Sequence, residues 1–143
     1  MSEYHLFIQE NLMVTILWLL SLSALIFSSI SIYLSKAKTL GVNDFVLKCN
    51  EENSILVDLR SPEEFKSSHI VNSINIQFDS DFLRGIKSIC KNKNINVLLV
   101  CSSGGSLSNK AAKIINKEGF CSIYKLQGGF GGWLYHNMPT TIK

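Results

Sequence analysis

The stretch "NVLLVCSSGGSLSNKAAKII", Asn96 to Ile115, decides how this chain is read. An apolar run of strand length ends in Cys101, small residues follow, and a helix closed by Gly119 begins. The run is the most hydrophobic in the C-terminal part of the chain, so a central strand is expected. A strand that delivers a cysteine into a helix N-terminus sets the sulfur beside amides that stabilise negative charge. Yet no arginine or lysine occurs from Cys101 until Lys110.

Working outward, strand-like and helix-like segments alternate. "VNDFVLKCN" is predicted as a short helix capped by Asn43 or Asp44, and "SILVDLR" as a strand ending in charge. In "SPEEF", Ser61 is placed as N-cap, Pro62 at the first helical position and Glu64 three residues on, the pattern of a capping box. "HIVNSINI" reads as a second strand, Asp79 to Lys91 as a second helix, and "SIYKL" as the last strand. A Gly-rich turn and a final helix, "GGFGGWLYHN", close the chain. Strands separated by helices imply an α/β fold, a parallel sheet flanked by helices. Ligands in such sheets bind beyond the carboxyl ends of the strands, where Cys101 falls.

From Leu12 to Leu34 runs "LMVTILWLLSLSALIFSSISIYL", without charge, Asn, Gln, Gly or Pro. At 1.5 Å per residue this is roughly 34 Å of helix, against a hydrocarbon core of about 30 Å. Only scattered serines interrupt it, and its N-terminal flank carries Glu3 and Glu10 in place of the basic residues of a signal peptide. One uncleaved transmembrane helix is therefore expected. The predicted organisation is a tail over 1–11, the span over 12–34, a linker over 35–41 and a domain over 42–143. Lys36 and Lys38 follow the span, so the N-terminus is expected outside and the domain in the cytoplasm. Ala24 and Ser28 form a small-xxx-small pair of the kind used in helix association, but the serines of the span are read as lipid-facing.

Beyond the span stand fourteen basic side chains against nine acidic ones, read as a lysine-rich solvated surface. No nucleic-acid partner and no cofactor are expected. Cys49, Cys90, Cys101 and Cys121 lack CxxC or metal spacing, and a cytoplasmic domain keeps them reduced, so no metal site is expected.

Three blocks in this order resemble the rhodanese family, over about residue 40 to the C-terminus. "VDLRSPEEFKSSHIVNSINI" resembles its D-x-R-x-x-x-E-F-x-x-G-H-I block, "VLLVCSSGG" its strand and active-site loop, and "YKLQGGFGGW" its L-x-G-G-x-x-x-W ending. An N-terminal anchor before one such domain resembles small inner-membrane rhodanese-like proteins of Gram-negative bacteria. The resemblance implies a sulfurtransferase fold, with Cys101 taking sulfane sulfur as a persulfide in a loop of Ser102, Ser103, Gly104, Gly105, Ser106 and Leu107. Ser68 stands where the family has Gly. Ser106 occupies the loop position of the usual basic residue, and Ala111 and Ala112 fall one residue late, as if the loop were lengthened.

These departures bear on chemistry. The reactive species is the thiolate, and a free thiol with a pKa of about 8.5 is mostly protonated at neutral pH. Ser106 offers a neutral hydrogen bond where a charge-assisted one is about twice as strong, so thiosulfate is expected to be a poor substrate. Related phosphatase and arsenate reductase loops end in an arginine; Leu107 stands there, and a dianion has no bidentate partner. Asp58, Arg60, Glu64 and His69 are read as charges and a histidine that tie loops together. Gly128 and Gly129 are read as a tight turn, and Trp133 as packing for the last helix. Two functions stay open. One is a membrane-anchored sulfurtransferase using Cys101, with a small-molecule or protein persulfide as donor or acceptor. The other is a non-catalytic rhodanese-fold interaction module at the inner membrane, with a membrane-protein partner.

Overall fold

In the computed structural model, residues 11–33, 37–120 and 122–142 are described, with backbone alone for 27–33. The chain divides into two compact units, Met1–Leu34 and Ser35–Lys143. The first contains helix α1, Leu12–Tyr33. Large apolar side chains from Leu12 to Ile26 stand exposed on it. Thr15 donates to the Asn11 carbonyl, Ser21 to that of Trp18 and Ser23 to that of Leu20, so these hydroxyls are satisfied within the helix. Among the described residues no helix is long and apolar enough to cross a membrane. The part of α1 with described side chains, residues 12–26, extends about 22 Å. Residues 1–10 of the tail predicted over 1–11, Leu34, the start of the linker and Cys121 lie outside the described residues.

The second unit holds a five-stranded parallel sheet in the order β1-β5-β4-β2-β3. Its strands are β1 (Lys38–Leu40), β2 (Ser54–Asp58), β3 (Ile74–Asn75), β4 (Asn96–Val100) and β5 (Ile123–Leu126). Its helices are α2 (Val42–Cys49), α3 (Pro62–Ser67), α4 (Phe82–Ile89), α5 (Ser106–Lys117) and α6 (Gly129–Tyr135). The strand expected to be central, β4, is central, and Val97 to Val100 are completely buried.

Period-two alternation assigns the two faces. Val97, Leu99 and Cys101 join Val57, Phe82, Ile86, Ala111, Ala112 and Ile115 beneath α4 and α5. Leu98 and Val100 join Val42, Phe45, Ile70, Leu126, Phe130 and Trp133 beneath α2 and α6. Both faces are thus covered, as a parallel sheet requires.

Local signals succeeded where the side chain itself makes the bond. The Glu64 amide donates to Ser61 Oγ at 3.3 Å, the Ser61 amide donates to Glu64 Oε2 at 3.2 Å, and Pro62 opens α3. Elsewhere the structure differs. The segment expected as a linker carries β1, whose Lys38, Thr39 and Leu40 pair with Tyr124, Lys125 and Leu126. Three residues are too few to show alternation. Helix α2 begins at an N-cap Gly41 with no side-chain cap bond, so neither Asn43 nor Asp44 caps it. The strand expected over "HIVNSINI" shrinks to Ile74–Asn75, because Asn72 adopts a positive φ of 63°. His69 forms an antiparallel bridge to Thr141 instead. Helix α4 starts at Phe82, after a turn in which the Asp81 amide donates to Asp79 Oδ1.

Candidate functional site

Strand β4 carries Cys101 to the carboxyl edge of the sheet and α5 starts at Ser106, leaving Ser102 to Gly105 as the connecting loop. The Gly104 amide donates to Cys101 Sγ at 3.1 Å. Gly104 reaches this orientation at φ +70°, a conformation glycine adopts without Cβ strain. Cys101 is only 3 % exposed, while Ser102, Ser103 and Ser106 face solvent. Leu107 packs against the core beneath α4 and α5, so that side chain turns away from the solvent-facing loop. Ser106 therefore offers the outward register at the start of α5.

The final Gly-rich segment holds the loop from the other side. The Phe130 amide donates to the Cys101 carbonyl at 2.8 Å, and the Gly131 amide to the Ser102 carbonyl at 3.1 Å. Gly129, at φ +58°, lies so close that an added Cβ would stand 2.2 Å from the Cys101 carbonyl oxygen and 2.4 Å from the Gly104 nitrogen. Gly128 is the turn residue before α6, with φ +72°. Gly129 does more than turn the chain: it permits backbone contact with the cysteine loop. Sequence reasoning missed this, because the contact joins segments far apart in the chain.

The charged residues of the first block lie around this frame. Asp58 and Arg60 form a buried pair, with Arg60 Nη2 2.8 Å from Asp58 Oδ2 and Arg60 Nε 3.1 Å from both carboxylate oxygens. Arg60 Nη2 also donates to the Ser68 carbonyl at 2.7 Å, and its guanidinium lies 3.6 Å from the centre of the Phe130 ring. Through Phe130 the pair buttresses the loop backbone. Asn75 Nδ2 donates to the Asp58 and Arg60 carbonyls. His69 is buried, stacks on Phe65 at 3.9 Å and bonds through Nδ1 to the Phe65 carbonyl at 2.8 Å. Trp133 is buried in the core and donates from Nε1 to the Pro139 carbonyl at 3.0 Å. Glu64 alone of the first block reaches the loop by side chain: Ser102 Oγ donates to its Oε1 at 3.4 Å. It sets a carboxylate at the rim.

One cation was missed. Lys125 on β5 pairs in register with Leu99, and so shares the sheet face of Leu99 and Cys101. It is 8 % exposed, and its Nζ donates to Asn109 Oδ1 on the first turn of α5. Burial pushes its ammonium pKa below the usual lysine value, and Cys101, when ionised, acts in the opposite sense. Alternation with Ile123, also buried on that face, was the available signal.

Burial pushes the Cys49 thiol up to about 11 and raises that of Cys90. Both are thereby poor nucleophiles at neutral pH. A cavity of about 430 Å³ lies beside β3, lined by Pro62, Phe65, Lys66, Ser73, Ile74 and Asn75, away from Cys101. Among the described residues no group of His, Cys, Asp or Glu is arranged to hold a metal ion.

The rhodanese-like domain family matches residues 42–136. An uncharacterized protein of Buchnera aphidicola subsp. Schizaphis graminum is 32% identical over 143 residues, covering 100% of this chain and 96% of its own. Thiosulfate sulfurtransferase GlpE of Pseudomonas syringae is 33% identical over 85 residues, 58% of this chain and 74% of GlpE. The polysulfide-sulfur transferase homodimer of Wolinella succinogenes superposes with a TM-score of 0.66 at 19% identity, covering 85% of this chain and 90% of that one. A cysteine loop at the end of the central strand, closed by the final Gly-rich turn, accompanies a family match over most of the chain: the protein belongs to the rhodanese-like family, related to sulfurtransferases such as GlpE.

Proposed function

We propose that this protein is a membrane-anchored sulfurtransferase that carries sulfane sulfur as a persulfide on Cys101. The carrying observation is the Gly104 amide directed at Cys101 Sγ within a loop closed by two glycines of positive φ. An anionic sulfur there meets a donor that needs no reorganisation. The relation to GlpE supports the reaction class. In the transfer, the thiolate attacks the outer sulfur of a persulfide RS–SH, a new S–S bond forms, and the RS–S bond breaks. RS⁻ leaves and takes the proton, so Cys101 keeps a persulfide anion. With Glu64 at the rim and Ser106 at the loop's cationic position, a persulfide reacting as its protonated RS–SH form is favoured over the thiosulfate dianion.

For the anchor, support comes from the uncharged run Leu12 to Leu34 and from hydroxyls bonded within α1, since unpaired polar groups are costly in lipid. Lys36 and Lys38 favour a single span of the bacterial inner membrane with the N-terminus outside and the domain in the cytoplasm. The bilayer is then the first partner. Carbonate should leave the chain in the membrane fraction, and protease added to spheroplasts should spare the domain; carbonate release or digestion from outside contradicts the respective part.

The deciding experiment is mass spectrometry of Cys101 after exposure to a small-molecule persulfide, with Cys101→Ser as control. Ser106→Arg restores a cation in the outward register and should raise thiosulfate activity on the order of 10-fold or more, since a charge-assisted contact contributes about 1.5–3 kcal/mol. No persulfide on the wild type and no activity in Ser106→Arg would leave the interaction module as the function. The near-complete burial of Cys101 is the observation that favours that second reading.

A further inference from the structure

We infer that Lys125 is the cationic partner of the Cys101 sulfur, replacing from strand β5 the charge that the loop lacks. This rests on the persulfide reading for its purpose, though its geometry does not. The register Leu99 to Lys125 puts the lysine on the Cys101 face, two residues short of it on the neighbouring strand. With about 4.8 Å between strands and roughly 6.6 Å for two residues along one, the two α-carbons lie on the order of 8 Å apart. A lysine stem bridges most of that separation.

Its direction is also set. Nζ donates to Asn109 Oδ1, and the Asn109 amide donates to the Gly105 carbonyl, so the ammonium is held at the first turn of α5 where the cysteine loop enters. The Ser108 hydroxyl, buried beside it in sequence, donates to the same Gly105 carbonyl. A lysine left among Val97, Leu99 and Ile123 without such a reason would be costly, because a buried ammonium is penalised unless paired. Asn109 supplies a dipole but no countercharge. Cys101, once ionised, supplies the charge, and its effect on the Lys125 ammonium opposes that of burial.

The placement has a consequence for donors. Lys125 acts from the face covered by α4 and α5, while Ser102 and Ser103 form the exposed side of the loop. A cation in that position stabilises the anion on Cys101 and makes no contact with an incoming anionic donor. It therefore serves the anionic sulfur held by Cys101 and leaves thiosulfate unassisted.

The test uses the full chain in detergent micelles. Alkylation of Cys101 by iodoacetamide is followed by peptide mass spectrometry across pH, beside thermal unfolding. Lys125→Met keeps most of the stem and removes the charge; it should slow alkylation near neutral pH on the order of 10-fold, whereas Lys125→Arg should hold the wild-type profile. A folded Lys125→Met with an unchanged profile overturns the inference. If that variant does not fold, wild type decides by the reciprocal effect. Capping Cys101 as a methyl disulfide removes its charge and should lower the Lys125 titration midpoint, read by NMR of labelled lysine; no change overturns it. Persulfide on Cys101 is scored separately. A shifted profile without any persulfide leaves Lys125 its role and overturns the transfer reading; persulfide with an unchanged profile does the reverse.

Discussion

Gly129→Ala tests how the cysteine loop is held, and its magnitude follows from the contacts. The new Cβ would stand 2.2 Å from the Cys101 carbonyl oxygen, 2.4 Å from the Gly104 nitrogen and 3.0 Å from the Ser103 carbonyl carbon. All three are backbone atoms, so no side chain can rotate aside. Reaching ordinary contact requires the loop to retreat by about 1 Å, which breaks the Phe130-to-Cys101 and Gly131-to-Ser102 hydrogen bonds at about 1 kcal/mol each. Alanine at φ +58° adds about 1–2 kcal/mol of its own. The total is on the order of 3–4 kcal/mol, or a Tm lowered by roughly 12–16 °C for a domain of this size. Gly131→Ala is the control: its Cβ meets the Ser102 carbonyl oxygen at 3.5 Å, an ordinary contact. In α6 that substitution should stabilise by about 0.5–1 kcal/mol through helix propensity. Near-UV circular dichroism of the full chain in micelles reads both, with Cys101 alkylation measured on the same samples. A Gly129→Ala protein that melts within about 2 °C of wild type refutes the reasoning.

Asp58→Ala should destabilise by about 3–5 kcal/mol in denaturant titrations, because it strands Arg60 as a buried, uncompensated charge. Replacing Asp58 and Arg60 together by apolar residues should cost less than Asp58→Ala alone, and a greater loss would contradict that cause. Cys49 has a folded-state value of about 11 against an ordinary 9.0, so its contribution is complete below pH 9 and is lost as pH rises towards 11. Lys125, lowered by burial, runs the other way, its contribution growing as pH rises through its folded value. Comparing wild type with Cys49→Ala across pH 9–11 isolates the first effect: wild type should lose more stability over that window, and parallel curves would dismiss it.

Features that rest on one continuous segment were legible in the sequence. Val97 to Val100 announce a central strand by apolar character, and Ser61, Pro62 and Glu64 carry their own capping bonds within four residues. Cys101 follows from the end of that strand. Features that rest on pairing between distant segments were not. Strand β1 exists because β5 is there to receive it, and Lys38-Thr39-Leu40 alone shows no period. Asn72 ended the expected strand through a left-handed turn that an extended apolar pattern does not reveal. The role of Gly129 and the position of Lys125 both depend on which strand lies beside β4, and the order β1-β5-β4-β2-β3 is not written in any one segment.

The same distinction explains how the loop keeps its shape while departing from the family's residues. Its backbone is fixed by amides of Phe130 and Gly131 and by the left-handed conformations of Gly104 and Gly129. None of these bonds uses the side chain of Ser102, Ser103 or Ser106. A charge can therefore leave position 106 without collapsing the cradle, and a charge elsewhere can take up its electrostatic work. Lys125 is separable in this sense: it touches α5 through Asn109 and contributes no bond to the loop backbone among those seen at Cys101, Ser102 and Gly104. The two sets of variants should then part company. Gly129→Ala should disturb melting and Cys101 reactivity together, because shape and sulfur environment share the same backbone atoms. Lys125→Met should move the reactivity profile while the loop frame remains. Parallel losses in both variants would mean that Lys125 belongs to the frame after all, and that charge and shape at this site are one property.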